Sequence, residues 1–114
     1  MDKKIDKIVR EYVETVAAKN QDFVTAYLFG SYAKGTQREE SDIDVAIIFD
    51  PLRDEDKFDL RVNLMLLSST FDIRIEPHPL SSEDFYSDNP FAAEIKKTGI
   101  EMGPRTSDLK QGIE

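Results

Sequence analysis

The chain has 114 residues, 39% of them hydrophobic, which suffices for one core and is too short for two ordinary domains. Fifteen Lys and Arg against 23 Asp and Glu leave a formal charge of −8. That is the wrong sign for a surface that binds nucleic acid by neutralising phosphates, and better suited to steering cations, metal-bound nucleotides or a basic partner. The absence of cysteine excludes disulfides and thiolate metal sites, and with no apolar h-region or membrane-length apolar run the expectation is a cytoplasmic protein without a membrane anchor.

Ile5, Ile8, Val9, Tyr12, Val13, Val16 and Ala17 recur at spacings of three and four, which predicts a helix with one buried face, capped by Asp2. Phe23 to Phe29 is a β-branched and aromatic run of strand length, stopped by Gly30. Residues 31–40 are short, polar and contain Gly35, and predict a helical turn followed by a loop. In the next strand, Asp42 to Phe49, alternate side chains face opposite ways. Ile43, Val45, Ile47 and Phe49 therefore share one face and Asp42 and Asp44 the other, until Asp50-Pro51 ends the run. Phe58, Val62, Met65 and Leu66 repeat at helical spacing within a charged stretch from about Asp54 to Leu67, which predicts a second long helix crossing the sheet.

A third strand is expected over Phe71 to Glu76, which alternates strictly, with its apolar set in the core and Asp72, Arg74 and Glu76 opposite. Pro77-His78-Pro79 reads as its terminator, with His78 on a rigid surface turn. Ser81 or Ser82, followed by Glu83 and Asp84, predicts a capped helical turn; Pro90 and Gly99 bracket a short helix, and Ile100 to Met102 adds an edge strand. One domain over residues 1–103 is expected, with the polar, aperiodic residues 104–114 as a frayed tail.

Two carboxylates at positions i and i+2 of a strand lie about 6.6 Å apart at their Cα atoms and point the same way. They can share a hard divalent cation, and two such cations about 3.5–4 Å apart clamp the attacking and leaving oxygens of a phosphoryl displacement. Unshared, carboxylates about 4 Å apart repel by on the order of 4 kcal/mol at an effective dielectric near 20, so the cluster calls for metal, protons or an arginine. Asp72 is the natural third member, and Glu76, of the same parity, competes for that place. Just upstream, Gly30 ends a strand and Ser31 opens a helical turn. Backbone N–H groups and a hydroxyl then stand where an anion binds, and the glycine lets phosphate approach closely. An Asp-x-Asp pair alone is a weak signal; the glycine-serine turn beside it makes it specific.

Gly30-Ser31, ten intervening residues and then Asp42-Ile43-Asp44 resemble the signature of the DNA polymerase β-type nucleotidyltransferase superfamily, and the short length resembles its minimal (MNT) branch. The resemblance implies a polymerase β-like fold, an α/β (α+β) domain with a small mixed β-sheet and helices packed on one face. It implies that Gly30 and Ser31 hold the triphosphate of ATP or another NTP, and that Asp42, Asp44 and Asp72 form the catalytic and metal site, occupied by two Mg2+. The implied reaction moves a nucleoside monophosphate, AMP from ATP, to a hydroxyl, with Asp72 as base. The implied setting is an antitoxin beside a HEPN-type toxin, a tyrosine of which accepts the nucleotide. Two other functions suit the same residues: a non-catalytic antitoxin that neutralises its partner by binding, and nucleotidyl transfer to a cationic small molecule such as an aminoglycoside. The turn carries Tyr32 and Lys34 where many relatives carry arginines, and lysine offers phosphate a point charge rather than a bidentate fork.

Overall fold

The computed structural model describes residues 3–103. Helix α1, Lys3–Lys19, buries Ile5, Val9, Tyr12, Val13 and Val16, the stripe that its periodicity predicts. Strand β1, Phe23–Phe29, leads through the short helix α2, Ser31–Lys34, to strand β2, Ile43–Phe49, which pairs antiparallel with β1. Helix α3, Asp54–Ser68, then carries the chain over to strand β3, Ile75–Ser81, which lies parallel to β2, a pairing that requires such a crossover. Two short helices follow, α4 at Ser82–Phe85 and α5 at Pro90–Thr98, and strand β4, Ile100–Glu101, closes the order β3-β2-β1-β4 by pairing antiparallel with β1. No helix among the described residues is long and apolar enough to cross a membrane. The expected cap Asp2 and the expected tail 104–114 fall outside the described residues.

Alternation in β2 splits the apolar side chains between two cores. Ile43, Val45, Ile47 and Phe49 face α1 and α3, together with Ala26, Leu28 and Tyr12. Ala46 and Ile48 face the other way and pack with Phe29, Leu80, Phe85, Ala92 and Ile95, so the short helices α4 and α5 cover part of the face opposite the long ones. The caps follow local chemistry. The Ser81 hydroxyl accepts from Asp84 N–H at 3.0 Å, and the Asn89 side chain accepts from Phe91 N–H at 2.8 Å ahead of Pro90.

Two expectations are corrected here. In α3, the stripe Phe58, Val62, Met65 and Leu66 faces solvent, with Phe58 at 74% exposure. The helix instead buries Leu64, with Leu60 and Leu67 packed against the core, and the buried Tyr12 hydroxyl donates to Leu64 O at 3.0 Å. Leu60, Leu64 and Leu67 have the same helical spacing as the exposed set, so periodicity alone does not choose between the two stripes. The second correction concerns the third strand: residues 71–74 form a turn, and β3 runs from Ile75 through both prolines to Ser81. Ile43 N–H donates to Arg74 O at 2.8 Å, a parity that turns the backbone groups of Glu76, His78 and Leu80 toward β2 and those of Pro77 and Pro79 outward. On this outer strand the missing proline N–H groups interrupt no bond of the sheet.

Candidate active site

Three neighbouring strands bring their ends to one place. Phe29, the last residue of β1, pairs with Asp44, and Asp44 pairs with Glu76 at the start of β3. Paired residues point to the same face of a sheet, so both carboxylates stand side by side on the face that α4 and α5 leave partly open. His78, two residues further along β3, shares that face, and its Nε2 lies 3.1 Å from Asp44 Oδ1. One ligand atom from each of Asp44, Glu76 and His78 falls within 4.8 Å of the other two, a donor set that fits a divalent cation. Arg61 Nη2 approaches Glu76 Oε1 at 3.7 Å, a long pair between half-exposed groups that offsets little of the repulsion.

Gly30 touches this row from the residue that follows β1. Its φ of 75° and ψ of −151° suit glycine alone, and a Cβ there would come within 2.6 Å of Asp44 Oδ2. Ser31 heads α2, in which the first helical bond runs from Lys34 N–H to Gly30 O at 3.1 Å. The N–H groups of Ser31, Tyr32 and Ala33 therefore precede the helical ladder, beside the carboxylate row. Lys34 turns to α5 and pairs with Glu94 at 3.1 Å.

The expected third acid lies elsewhere. Asp72 sits on the turn before β3, with its carboxylate only 13% exposed and held by Arg74 through Nε at 3.0 Å, Nη2 at 2.7 Å and the backbone N–H at 2.9 Å. The side-chain bonds from Arg74 hold its pKa below the usual carboxylate value, against the opposing effect of burial. Arg74 Nη1 also donates to the hydroxyl of Tyr32 at 3.2 Å, and Tyr32 is buried in the core. Asp42 is exposed immediately before β2 and does not join the group formed by Asp44, Glu76 and His78. His78 is the residue that sequence reasoning set aside. The signal for it was that Glu76 and His78 keep one parity while the two prolines keep the other. A cavity of about 550 Å³, lined by Phe49, Leu52 and Leu60 among others, opens at the far end of β2 and contains none of these residues.

A mixed sheet with a glycine-led turn beside paired carboxylates is the framework of a nucleotidyltransferase. The sequence matches the family "Polymerase beta, Nucleotidyltransferase" over residues 11–102, and the chain belongs to that family. Among solved structures it is similar to a protein of Sulfolobus solfataricus described as a nucleotidyltransferase, with 26% identity and a TM-score of 0.61 over 84% of this chain and 77% of the other. It is likewise similar to a protein described as a minimal nucleotidyltransferase, with 25% identity and a TM-score of 0.54 over 88% and 95% of the two chains. A third likeness, 18% identical with a TM-score of 0.50 over 90% and 78%, is to a complex of the tri-AMPylated HEPN toxin of Shewanella oneidensis with its MNT antitoxin. No curated protein matches the chain.

Proposed function

We propose that the chain transfers AMP from ATP to a hydroxyl of a HEPN-type protein partner. The observation that carries this reading is the row in which Asp44 stands between Gly30, against its carboxylate, and Glu76, its partner across the sheet. In this reading the Ser31 hydroxyl and the first N–H groups of α2 bind the triphosphate. Asp44 and Glu76, with Asp42 at the entrance, hold divalent cations, Mg2+ by family expectation. Bound there, such ions neutralise the phosphates and the developing charge of the leaving group. Glu76 takes the place expected of Asp72: it accepts the proton of the acceptor hydroxyl as that oxygen bonds to the α-phosphorus and the bond to pyrophosphate breaks. Asp72, occupied by three hydrogen bonds from Arg74, is assigned the role of fixing that arginine against Tyr32. The likeness to the complex of an MNT antitoxin with a tri-AMPylated HEPN toxin supports both the nucleotide and the partner.

The test is incorporation of label from α-labelled ATP into a HEPN protein encoded beside this chain. Label should appear with the unmutated protein and vanish with Asp42→Asn or Asp44→Asn at unchanged melting temperature. Absence of label with every nucleotide, and toxin inhibition that survives Asp44→Asn, would replace transfer by neutralisation through binding alone.

A further inference from the structure

We infer that His78 is a nitrogen ligand of the cation held by Asp44 and Glu76, and that it biases the site toward Mn2+ over Mg2+. The inference deepens the proposed function and takes its two carboxylates from it. The histidine is placed by β3. Two residues beyond Glu76 it returns to the same face, opposite Ala46 of β2, a small side chain that leaves the imidazole room to lean toward Asp44. Its ring is clasped by aromatic neighbours, Phe29 edge-on at 5.1 Å between centroids and Phe91 tilted at 6.0 Å. Those contacts leave the side chain 25% exposed and direct Nε2 at the carboxylate, 3.1 Å away.

A histidine that merely oriented Asp44 would need no second carboxylate in reach. Here Glu76 is in reach as well, and the three donor atoms lie within 4.8 Å of one another. A cation with bonds of about 2.0–2.6 Å bridges separations of that size. The donor set is therefore two oxygens and one imidazole nitrogen rather than oxygens alone. That composition matters because Mg2+ favours an octahedron of oxygens and keeps its waters, whereas imidazole nitrogen suits first-row transition ions. The ordering of the ring between Phe29 and Phe91 adds to the effect, since a ligand already aimed loses little rotamer freedom when it binds.

The experiment uses the full chain without nucleotide. Mn2+ and Mg2+ affinities are measured by calorimetry for the unmutated protein, His78→Gln and Asp44→Asn, and the Mn2+-loaded unmutated protein is examined for nitrogen modulation by pulsed electron paramagnetic resonance. The inference expects nitrogen modulation in the unmutated protein. It also expects His78→Gln to weaken Mn2+ by about tenfold or more and Mg2+ by less than about threefold, while Asp44→Asn weakens both. No nitrogen modulation, or an equal effect of His78→Gln on the two ions, overturns it, and the spectrum of the unmutated protein decides even if that variant folds poorly. If Asp44→Asn leaves both affinities unchanged, the carboxylate site falls and the histidine's role falls with it. If only His78→Gln is silent, the carboxylate site stands and His78 is not a ligand.

Discussion

Replacing Gly30 with alanine asks whether the phosphate turn and the carboxylate row are mechanically one object. The backbone at φ 75° and ψ −151° is populated almost only by glycine, and holding another residue there costs about 1–3 kcal/mol. The new Cβ would stand 2.6 Å from Asp44 Oδ2, so the carboxylate would have to retreat by about 0.8 Å to reach ordinary contact. That is roughly a third of a metal–oxygen bond of about 2.0–2.6 Å, and a misplacement of about 1 Å commonly costs on the order of 100-fold in function. Gly35 provides the control: its φ is 74°, yet nothing lies within 4 Å of an added Cβ, so Gly35→Ala incurs backbone strain of about 1 kcal/mol and no collision. Thermal melts should fall by about 4–8 °C for Gly35→Ala and by about twice that for Gly30→Ala. Cation affinity, measured by calorimetry at a temperature where both variants are folded, should hold in Gly35→Ala and drop by about tenfold or more in Gly30→Ala. Unmutated affinity in Gly30→Ala, or equal losses in both variants, would refute the coupling between turn and carboxylate.

Glu76→Gln should lower AMP transfer by about 100-fold or more, and Asp72→Asn by less than about tenfold, as read from initial rates of label incorporation; the reverse ranking would return the third acid to Asp72. Tyr12→Phe removes the donor to Leu64 O and should cost about 1–2 kcal/mol in urea unfolding, with no change in cation binding. Because Arg74 lowers the pKa of Asp72, the stabilisation from that pair is complete above the unfolded carboxylate pKa of about 3.9 and fades as pH falls from there through the lower folded value. Acid unfolding curves should therefore be steeper below about pH 4 for the unmutated chain than for Arg74→Gln, and coincident curves would deny the linkage.

The order of elements and the two-faced strand β2 were legible because each rests on a strong local period: the stripe of α1, and Ile43, Val45, Ile47 and Phe49 against Asp44. The third strand was placed about four residues too early, at Phe71 to Glu76, for a physical reason. Its alternation is real in sequence, but Arg74 folds back on Asp72 and makes residues 71–74 a turn, while prolines that look like terminators occupy outward positions of an outer strand. That shift is what exchanged Glu76 for Asp72 beside Asp44 and concealed His78. The stripe of α3 was misassigned because Phe58, Val62, Met65 and Leu66 are as apolar as the set that packs, and the choice between them is made by distant parts of the chain, the core of α1 and the sheet on which Leu60, Leu64 and Leu67 rest.

The paired prolines of β3 also govern what can lie alongside that strand. With Pro77 and Pro79 pointing outward, this border of the sheet lacks the regular donors that would template an added strand. Chains therefore cannot stack border to border along it, and a partner cannot reach Glu76 by donating a strand of its own. In the proposed reaction, an acceptor protein would therefore approach from above the sheet, as a helix or a projecting loop, on the face that carries Asp44, Glu76 and His78. Recognition on this side is thereby left to side chains, which are free to differ between partners while the strand that carries Glu76 and His78 keeps its register.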